Sequence, residues 1–150
     1  MKITFLGHAT LEIQINEFNL LVDPFISGNP MASEINLDDL KPDFILISHA
    51  HQDHTLDVEK LAKDNNSLII SNFEIVSHFQ SKGLNGHPMN HGGKWNFDFG
   101  ELKYVNAIHT STFPDGSNGG QPGGFIITSN NKSIYIACLL YTSPSPRDDS

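Results

Sequence analysis

The feature that most constrains this chain is a His-Ala-His-Gln-Asp-His segment at residues 49–54. It directly follows Phe44-Ile45-Leu46-Ile47, a short apolar run that predicts a buried strand. Alternate side chains at the end of a strand point the same way, so His49 and His51 can lie on one face. The segment therefore predicts a pair of imidazoles at the carboxyl end of a strand.

The same segment continues with further groups that are typical metal ligands. Where the chain turns after the two imidazoles, Asp53 and His54 can point to a neighbouring second position. Nitrogen and oxygen donors of this kind suit Zn²⁺, with Mn²⁺ and Fe²⁺ as alternatives. The segment therefore predicts a loop that holds two metal ions. The competing interpretation is a polar surface loop that binds nothing, which the position directly after a predicted strand disfavours.

Local patterns predict alternating strands and helices around this loop. Apolar residues alternate with polar ones in the first third of the chain, and later segments show helical spacing. The elements predicted in this way are a strand over Leu11-Glu12-Ile13-Gln14-Ile15, a hairpin turn over Asn16-Glu17-Phe18-Asn19, a strand at Leu20-Leu21-Val22, a helix from Val58 and a second helix from Phe73 to Gln80.

Several further segments occur in the order found in one known superfamily. They are Met1-Lys2-Ile3-Thr4-Phe5-Leu6-Gly7-His8, Leu21-Val22-Asp23-Pro24-Phe25, Asn72-Phe73-Glu74, His87-Pro88-Met89-Asn90 and Gly123-Gly124-Phe125. With the histidine segment, they resemble the metallo-β-lactamase superfamily, and within it the UPF0173 and ascorbate-6-phosphate-lactonase-like metal-dependent hydrolases. The resemblance covers residues 1–138. It implies an α/β fold, the αββα sandwich of that superfamily, of which this chain carries the first half to two-thirds.

A third imidazole is expected from a later hairpin. Trp95-Asn96-Phe97-Asp98-Phe99 alternates strictly, and a turn at Gly100-Glu101 leads into a strand that delivers His109. By resemblance, His109 binds the first ion together with His49 and His51. Three histidines with one open position are typical of a catalytic zinc site. Without the resemblance, a lone histidine after a strand is an ordinary surface side chain.

Supporting roles follow for two residues outside the predicted ligand set. Pro24 ends a strand and leaves Asp23 at its carboxyl end. The resemblance implies that Asp23 orients the histidines by hydrogen bonding, and His8, after the first strand, is assigned a similar supporting place beside the pocket. From the residues alone, Asp23 is equally compatible with capping an ordinary turn. Asp53 is assigned as a catalytic residue as well as a ligand.

The activity implied is metal-dependent hydrolysis. A metal-bound hydroxide would attack a small ester, lactone, amide or phosphoester, with two Zn²⁺ ions in the intact parent. No Gly-x-Ser-x-Gly nucleophile elbow occurs in the sequence. Two other classes compete. One is a non-catalytic protein that binds one metal or serves as an interaction protein, and the other is a redox di-iron protein, which would require more acidic ligands.

A glycine-rich stretch from Ser111 to Gly124 is too long for a plain hairpin connection. It predicts a mobile lid or a substrate-binding loop, with Asp115 and Gly116 as its substrate-contacting residues. The alternative is a disordered surface loop. His87 and His91 flank a turn and are interpreted as structural.

Composition limits the partners. With 150 residues and 38% hydrophobic residues, the chain suits one domain with one core. A net charge of −8 disfavours a nucleic-acid partner, and no apolar run approaches membrane-spanning length. The single cysteine, Cys138, fits a reducing compartment. We therefore expect a cytoplasmic protein with a small-molecule substrate and with neither a nucleic-acid nor a membrane partner.

The last residues differ in composition from the rest. Residues 139–150 are expected to be a non-native tail, because the resemblance places a bridging aspartate where Leu139 stands and a later histidine ligand is missing. We expect a truncated domain that spans residues 1–138, holds at best one metal and is weakly active or inactive; the alternative is a genuine short variant. An unpaired sheet edge would then promote association into a homo-oligomer.

Overall fold

The structure is a computed structural model and describes residues 1–137. The expectations for Cys138, for Leu139 and for the tail at residues 139–150 lie outside the described residues.

Two β-sheets form the centre of the described chain. The first sheet has six strands in the order β1-β2-β3-β4-β5-β6, and the second has four in the order β10-β9-β8-β7. The strands are β1 Lys2–Phe5, β2 Leu11–Ile15, β3 Phe18–Val22, β4 Phe44–Leu46, β5 Leu68–Ser71, β6 Asn85–Pro88, β7 Lys94–Phe97, β8 Gly100–Asn106, β9 Gly123–Ser129 and β10 Lys132–Ile136.

Three helices connect the strands of the first sheet. They are α1 Gln52–Thr55, α2 Val58–Asn65 and α3 Phe73–Gln80, and single 3₁₀ turns occur at Pro30–Ala32 and Leu37–Asp39. The Asn72 side chain accepts the backbone N–H of Ile75, which caps α3 at its predicted start. No helix within residues 1–137 has the length and apolar character needed to cross a bilayer.

Two layers of apolar side chains hold these elements together. One lies between the sheets, where Ile13 and Leu46 meet Tyr104 and Phe125. The other lies between the first sheet and the helices, where Ile45 packs with the residues that α2 and α3 bury. Strand β4 is therefore covered on both faces, which explains its continuous apolar sequence. This is the helix-sheet-sheet part of the predicted sandwich.

Two predicted hairpin turns differ from those in the structure by two residues, the first in length and the second in position. The first contains only Asn16 and Glu17, because Phe18 packs against the inter-sheet core and extends β3. The second lies at Asp98 and Phe99, because Gly100 already pairs with Phe97 as the first residue of β8. The turn predicted at residues 16–19 was therefore two residues too long, and the turn predicted at residues 100–101 was placed two residues too late, although both hairpins exist.

The strand directions of the first sheet bring several loops to one edge. β1 and β3 are both antiparallel to β2, and β3 is parallel to β4. The carboxyl ends of β1, β3 and β4 therefore lie on the same side of the sheet. These ends are followed by His8, Asp23 and the segment at 49–54 respectively, so one sheet edge collects most of the predicted site.

Candidate metal centre

The loop after β4 shapes the first part of the site. His51 has an extended backbone and is the N-cap residue of α1, which places Asp53 and His54 in the first turn of that helix. The hydroxyl of Thr55 donates to the His51 carbonyl at 3.1 Å. The turn that was predicted after His51 is thus a short helix, which directs the two halves of the segment to different sides.

Three imidazoles converge beside this loop. The ring centroids of His49 and His51 are 4.6 Å apart, and the His109 ring lies 4.7 Å from His49 and 5.2 Å from His51. One ring nitrogen from each residue lies within 4.8 Å of the others. The structure thus brings together three residues that the sequence grouped, and His109 reaches the group from the second sheet. Their coordination of an ion stays a prediction.

A second group forms next to the first. His8 Nε2 lies 3.0 Å from Asp53 Oδ2, and His54 Nε2 lies 3.7 Å from Asp53 Oδ1. The His8 and His54 rings are 5.1 Å apart. Sequence reasoning assigned His8 a supporting place, whereas the structure puts it directly beside Asp53 and His54.

Asp23 is the buried anion under this site. Its Oδ1 accepts the backbone N–H of Ser48 at 2.7 Å, and its Oδ2 accepts the Ser48 hydroxyl at 2.6 Å. Oδ2 also lies 2.9 Å from His54 Nδ1, with both side chains at most 2% exposed. Asp23 therefore holds the proton of His54 on Nδ1 and directs Nε2 toward Asp53. That Nε2 atom is buried and has no hydrogen-bond partner among the described residues, which is the environment of a metal-binding nitrogen.

Ser48 orients His49 in a similar way. Its single hydroxyl hydrogen is donated to Asp23, and its oxygen lies 2.9 Å from His49 Nδ1. The Nδ1–H group of His49 must therefore be the donor of this contact. The lone pair of the His49 ring is then on Nε2, on the side of the ring away from Ser48. The sequence did not distinguish this role for Ser48 from that of an exposed serine.

Burial lowers the pKa of two of these imidazoles, those of His49 and His109. It lowers the pKa of His49 to about 2, with further contributions from the neighbouring His54, His51 and His109 rings. Burial also lowers the pKa of His109, assisted by His51. Neutral imidazole is the form that binds a metal ion, so these groups fit the Zn²⁺, Mn²⁺ or Fe²⁺ chemistry expected from the sequence.

Comparison with known proteins identifies the family. A family model described as "Beta-lactamase superfamily domain" matches residues 2–147. The chain belongs to the β-lactamase superfamily. It is 60% identical over 137 residues to a UPF0173 metal-dependent hydrolase of Flavobacterium johnsoniae and 59% identical over 138 residues to that of Christiangramia forsetii. Each alignment covers 91% of this chain, which spans 61% of the length of these relatives.

Solved structures of other proteins share this fold. Igni18, a novel metallo hydrolase from Ignicoccus hospitalis, is 29% identical, with a TM-score of 0.78 over 90% of this chain and 59% of its own. CmlA, a diiron beta-hydroxylase from Streptomyces venezuelae, has a TM-score of 0.70 at 19% identity, over 90% of this chain and 28% of its own. The second likeness concerns the fold alone. The predicted metallo-β-lactamase fold is confirmed.

Within this superfamily fold, the loop that follows His109 is firmly attached. The Ser111 hydroxyl accepts the backbone N–H of Ala50 at 3.1 Å and donates to the Gly119 carbonyl at 3.0 Å. The Asn72 amide donates to the same carbonyl at 2.8 Å, and Phe113 is buried against the helices. The stretch expected to be a mobile lid is thus anchored at several points, and its anchors hold the His109 segment beside the loop after β4.

The tip of this loop points elsewhere. Asp115 and Gly116 are exposed, and Asp115 accepts hydrogen bonds from the backbone and hydroxyl of Ser117. Asp115 and His78 border a groove of about 240 Å³. The lining of this groove contains none of the histidines of the two groups described above. The structure therefore does not bring the expected substrate-contacting residues into the metal centre.

Other polar residues have structural contacts. Asp57 is buried and accepts the backbone N–H groups of Ile26 and Ser27, which fixes the loop after β3. His87 packs against aromatic side chains of β7, and His91 Nε2 donates to the Pro122 carbonyl at 2.8 Å. Both histidines lie outside the two groups described above.

Proposed function

We propose that this chain carries the metal-binding part of a metal-dependent hydrolase that acts on a small ester, lactone, amide or phosphoester. The observation that carries the proposal is the convergence of His49, His51 and His109 within ligand distance of one another. The UPF0173 relatives that are 59–60% identical are described as metal-dependent hydrolases, which supports it.

Three histidines would form the first metal site of such a hydrolase. His49, His51 and His109 would hold the first ion, Zn²⁺ in our proposal and Mn²⁺ or Fe²⁺ as alternatives. When bound, the ion supplies an activated water and a Lewis acid for the substrate's carbonyl or phosphoryl oxygen. Three imidazole ligands leave the remaining coordination position open to water or substrate.

Asp53 has a different environment from the buried ligands. Its side chain is 45% exposed, whereas that of His54 is fully buried. It thus borders both solvent and the imidazole group, where a carboxylate can bind an ion through one oxygen and accept a proton through the other. We propose this dual role for Asp53. In this proposal Asp23 does not bind the ion but orients His54 directly and His49 through Ser48.

Electrostatics favour a small substrate over a nucleic acid. The chain has a net charge of −8, which repels phosphate backbones over long distances. A small neutral or singly charged ester would approach a metal-loaded site without this penalty. We therefore propose a small-molecule substrate.

A second candidate function has one specific observation in its favour. The chain spans 61% of the length of its curated relatives, so the description 'metal-dependent hydrolase' belongs to proteins longer than these 150 residues. The candidate is a non-catalytic species that binds metal through the same histidines.

One experiment separates the two functions. The 150-residue chain would be stripped of metal with a chelator, reloaded with Zn²⁺, Mn²⁺ or Fe²⁺, and measured for metal content and for hydrolysis of a carboxyl ester, a lactone and a phosphodiester. We expect bound metal and metal-dependent turnover, both reduced at least tenfold in His51→Ala and retained in His87→Gln. Metal binding without any turnover would support the second candidate. Absence of stoichiometric metal, or His51→Ala retaining full content, would overturn both.

A further inference from the structure

We propose that His8 is itself a metal ligand, and that His8, Asp53 and His54 form a second ion site complete enough to bind without further protein ligands. The inference rests on the proposed function, because it assumes that the histidine cluster binds metal. From the sequence, only Asp53 and His54 were expected to bind the second ion. The proposal adds His8 as a third protein ligand.

The backbone holds His8 at this place at an energetic cost. Gly7 and His8 both have positive φ angles, +102° and +53°, in the turn between β1 and β2. The turn is closed by hydrogen bonds between Leu6 and Thr10 and between Thr10 and Gly7. A left-handed conformation is uncommon for histidine and is strained. Strained residues of this kind concentrate at functional sites.

The turn is also fixed relative to the other members of the site. The Thr10 hydroxyl donates to the Asp23 carbonyl at 2.8 Å and accepts the Phe25 N–H at 3.1 Å. Asp23 in turn contacts His54. The His8 ring packs edge-on against Phe25, with centroids 5.7 Å apart. Asp23 therefore contacts both the turn that carries His8, through Thr10, and the ring of His54.

Both imidazoles of this group lie beside the Asp53 carboxylate, each near one of its two oxygens, at distances close to those between ligands of one ion. Ligand atoms that bind one zinc at 2.0–2.2 Å in tetrahedral geometry lie about 3–4 Å from each other. His8 Nε2 and Asp53 Oδ2 are 3.0 Å apart, and His54 Nε2 and Asp53 Oδ1 are 3.7 Å apart. One donor atom from each of the three residues lies within 4.8 Å of the others.

The ligand types of His8, Asp53 and His54 are also suitable for a metal ion. Two imidazoles and one carboxylate bind catalytic zinc in known enzymes and leave an open position. The buried His54 Nε2 atom, which lacks a hydrogen bond in the described residues, would obtain its missing partner in the ion. The competing explanation is an ordinary ion pair between His8 and Asp53, whose side chains are 33% and 45% exposed. An exposed pair of this kind has little energetic value.

Metal stoichiometry distinguishes these explanations. The metal-free 150-residue chain would be titrated with Co²⁺, followed by its visible absorption, and with Zn²⁺, followed by elemental analysis after gel filtration. The key variant is His8→Asn, because asparagine tolerates the left-handed backbone and Asn16 of this chain adopts the same φ of 53°. His8→Asp keeps a ligand at the position, and His87→Gln is the control for loss of a histidine elsewhere.

We expect two ions per wild-type chain and per His87→Gln chain, one in His8→Asn, and recovery of the second ion in His8→Asp. The ion that remains in His8→Asn should be the one lost in His51→Ala. A wild-type chain with one ion, unchanged in His8→Asn and lost in His51→Ala, would overturn the His8 assignment and leave the proposed function standing. A wild-type chain that binds no ion would overturn the proposed function.

Circular dichroism of each variant checks that the fold is retained. If His8→Asn does not fold, Asp53→Asn is measured in its place, and an unchanged number of bound ions in Asp53→Asn overturns the second site.

Discussion

His54 Nδ1 lies 2.9 Å from Asp23 Oδ2, and the two side chains are 0% and 2% exposed. Because Asp23 occupies Nδ1, the His54 ring can face the metal centre only through Nε2. The same carboxylate accepts two hydrogen bonds from Ser48, whose oxygen contacts His49 Nδ1. One buried carboxylate thus sets the orientation of an imidazole in each of the two groups.

Asp23→Asn tests this relationship. Asparagine fits the left-handed backbone of residue 23, at φ 45°, but its amide cannot accept all three hydrogen bonds. We expect metal affinity to fall about 10–100-fold and the free energy of unfolding to fall by about 1–3 kcal/mol. Titration calorimetry and urea unfolding would measure these changes, with the exposed Asp39→Asn as control. Unchanged affinity in Asp23→Asn would show that the carboxylate does not orient the ligands.

His51→Ala and Leu46→Ala separate binding from stability. The His51 imidazole lies in a loop and buries little apolar surface, so its removal should abolish metal binding at the first site with little loss of stability in the metal-free protein. Leu46 is fully buried between the sheets, and its truncation should cost about 2–5 kcal/mol. Urea unfolding of the metal-free proteins and elemental analysis provide both readouts. Equal losses of stability with unchanged metal content in both variants would contradict the assignment.

Gly119→Ala should displace the segment that carries His109. A Cβ atom at residue 119 would overlap the Ala50 side chain and lie 2.7 Å from the Ser111 carbonyl oxygen. We expect a loss of about 1–3 kcal/mol from this overpacking, together with weaker binding of the first metal. In the control, Gly116→Ala, the new atom meets nothing within 4 Å and only the backbone, at φ 87°, is strained. Stability should fall there too, but metal affinity measured by Co²⁺ titration should not. Equal affinities in the two variants would refute the link between the loop anchor and His109.

His78 should make the protein less stable in acid. Burial against Phe113, onto which its ring stacks at 4.0 Å, lowers the pKa of His78, with help from Lys82 and against the opposing charges of Asp115 and Glu59. The unfolded chain then binds the proton more readily than the folded chain, so the contribution of His78 is fully present above its unfolded pKa, about 6.5, and is lost as pH falls.

Urea midpoints at pH 7.5 and pH 5.5, compared between wild type and His78→Gln, would measure this contribution. The variant should lose less stability on acidification. The other histidines are common to both proteins and cancel in the comparison. An identical pH dependence would mean that residue 78 is not held neutral.

Phe5→Lys should reduce association between copies of the chain. Phe5 and Ile3 are 68% and 50% exposed on β1, which pairs only with β2 among the described residues. An exposed apolar edge strand favours pairing with another chain, and a lysine opposes it. Analytical ultracentrifugation over a range of concentrations would show the change. Phe73→Lys is the control, because Phe73 is 64% exposed but lies on α3. An equal decrease in both variants would indicate general apolar association, not strand pairing.

The local parts of this site follow from sequence because they depend on short-range geometry. Strand alternation explains why His49 and His51 share a side, and helical periodicity with an Asn72 cap explains α3. The place of His8 depends instead on the order and direction of strands in the sheet, which brings the end of β1 to the edge where β4 ends. The one local signal was Gly7-His8 directly after a strand, a pair that suits a left-handed turn.

The hairpin turns show a different reason for error. A run of polar residues indicates that a turn exists, but its position depends on which neighbours pack into the core. Phe18 and Phe99 both contact Phe44 from their hairpins, at ring distances of 6.0 and 4.8 Å. These long-range contacts decide that Phe18 belongs to a strand and that Phe99 closes a turn. Local propensity does not contain this information.

The first metal position has a mechanical consequence, because its ligands come from different sheets. His49 follows a strand of the first sheet, whereas His109 follows β8 of the second. An ion bound to both would act as a cross-link that closes a loop of roughly 60 residues, and in the chain-entropy model such a closure is equivalent to about 4 kcal/mol. Loss of the ion would remove this cross-link between the two sheets, so resistance to proteolysis of the connecting segments would report metal occupancy.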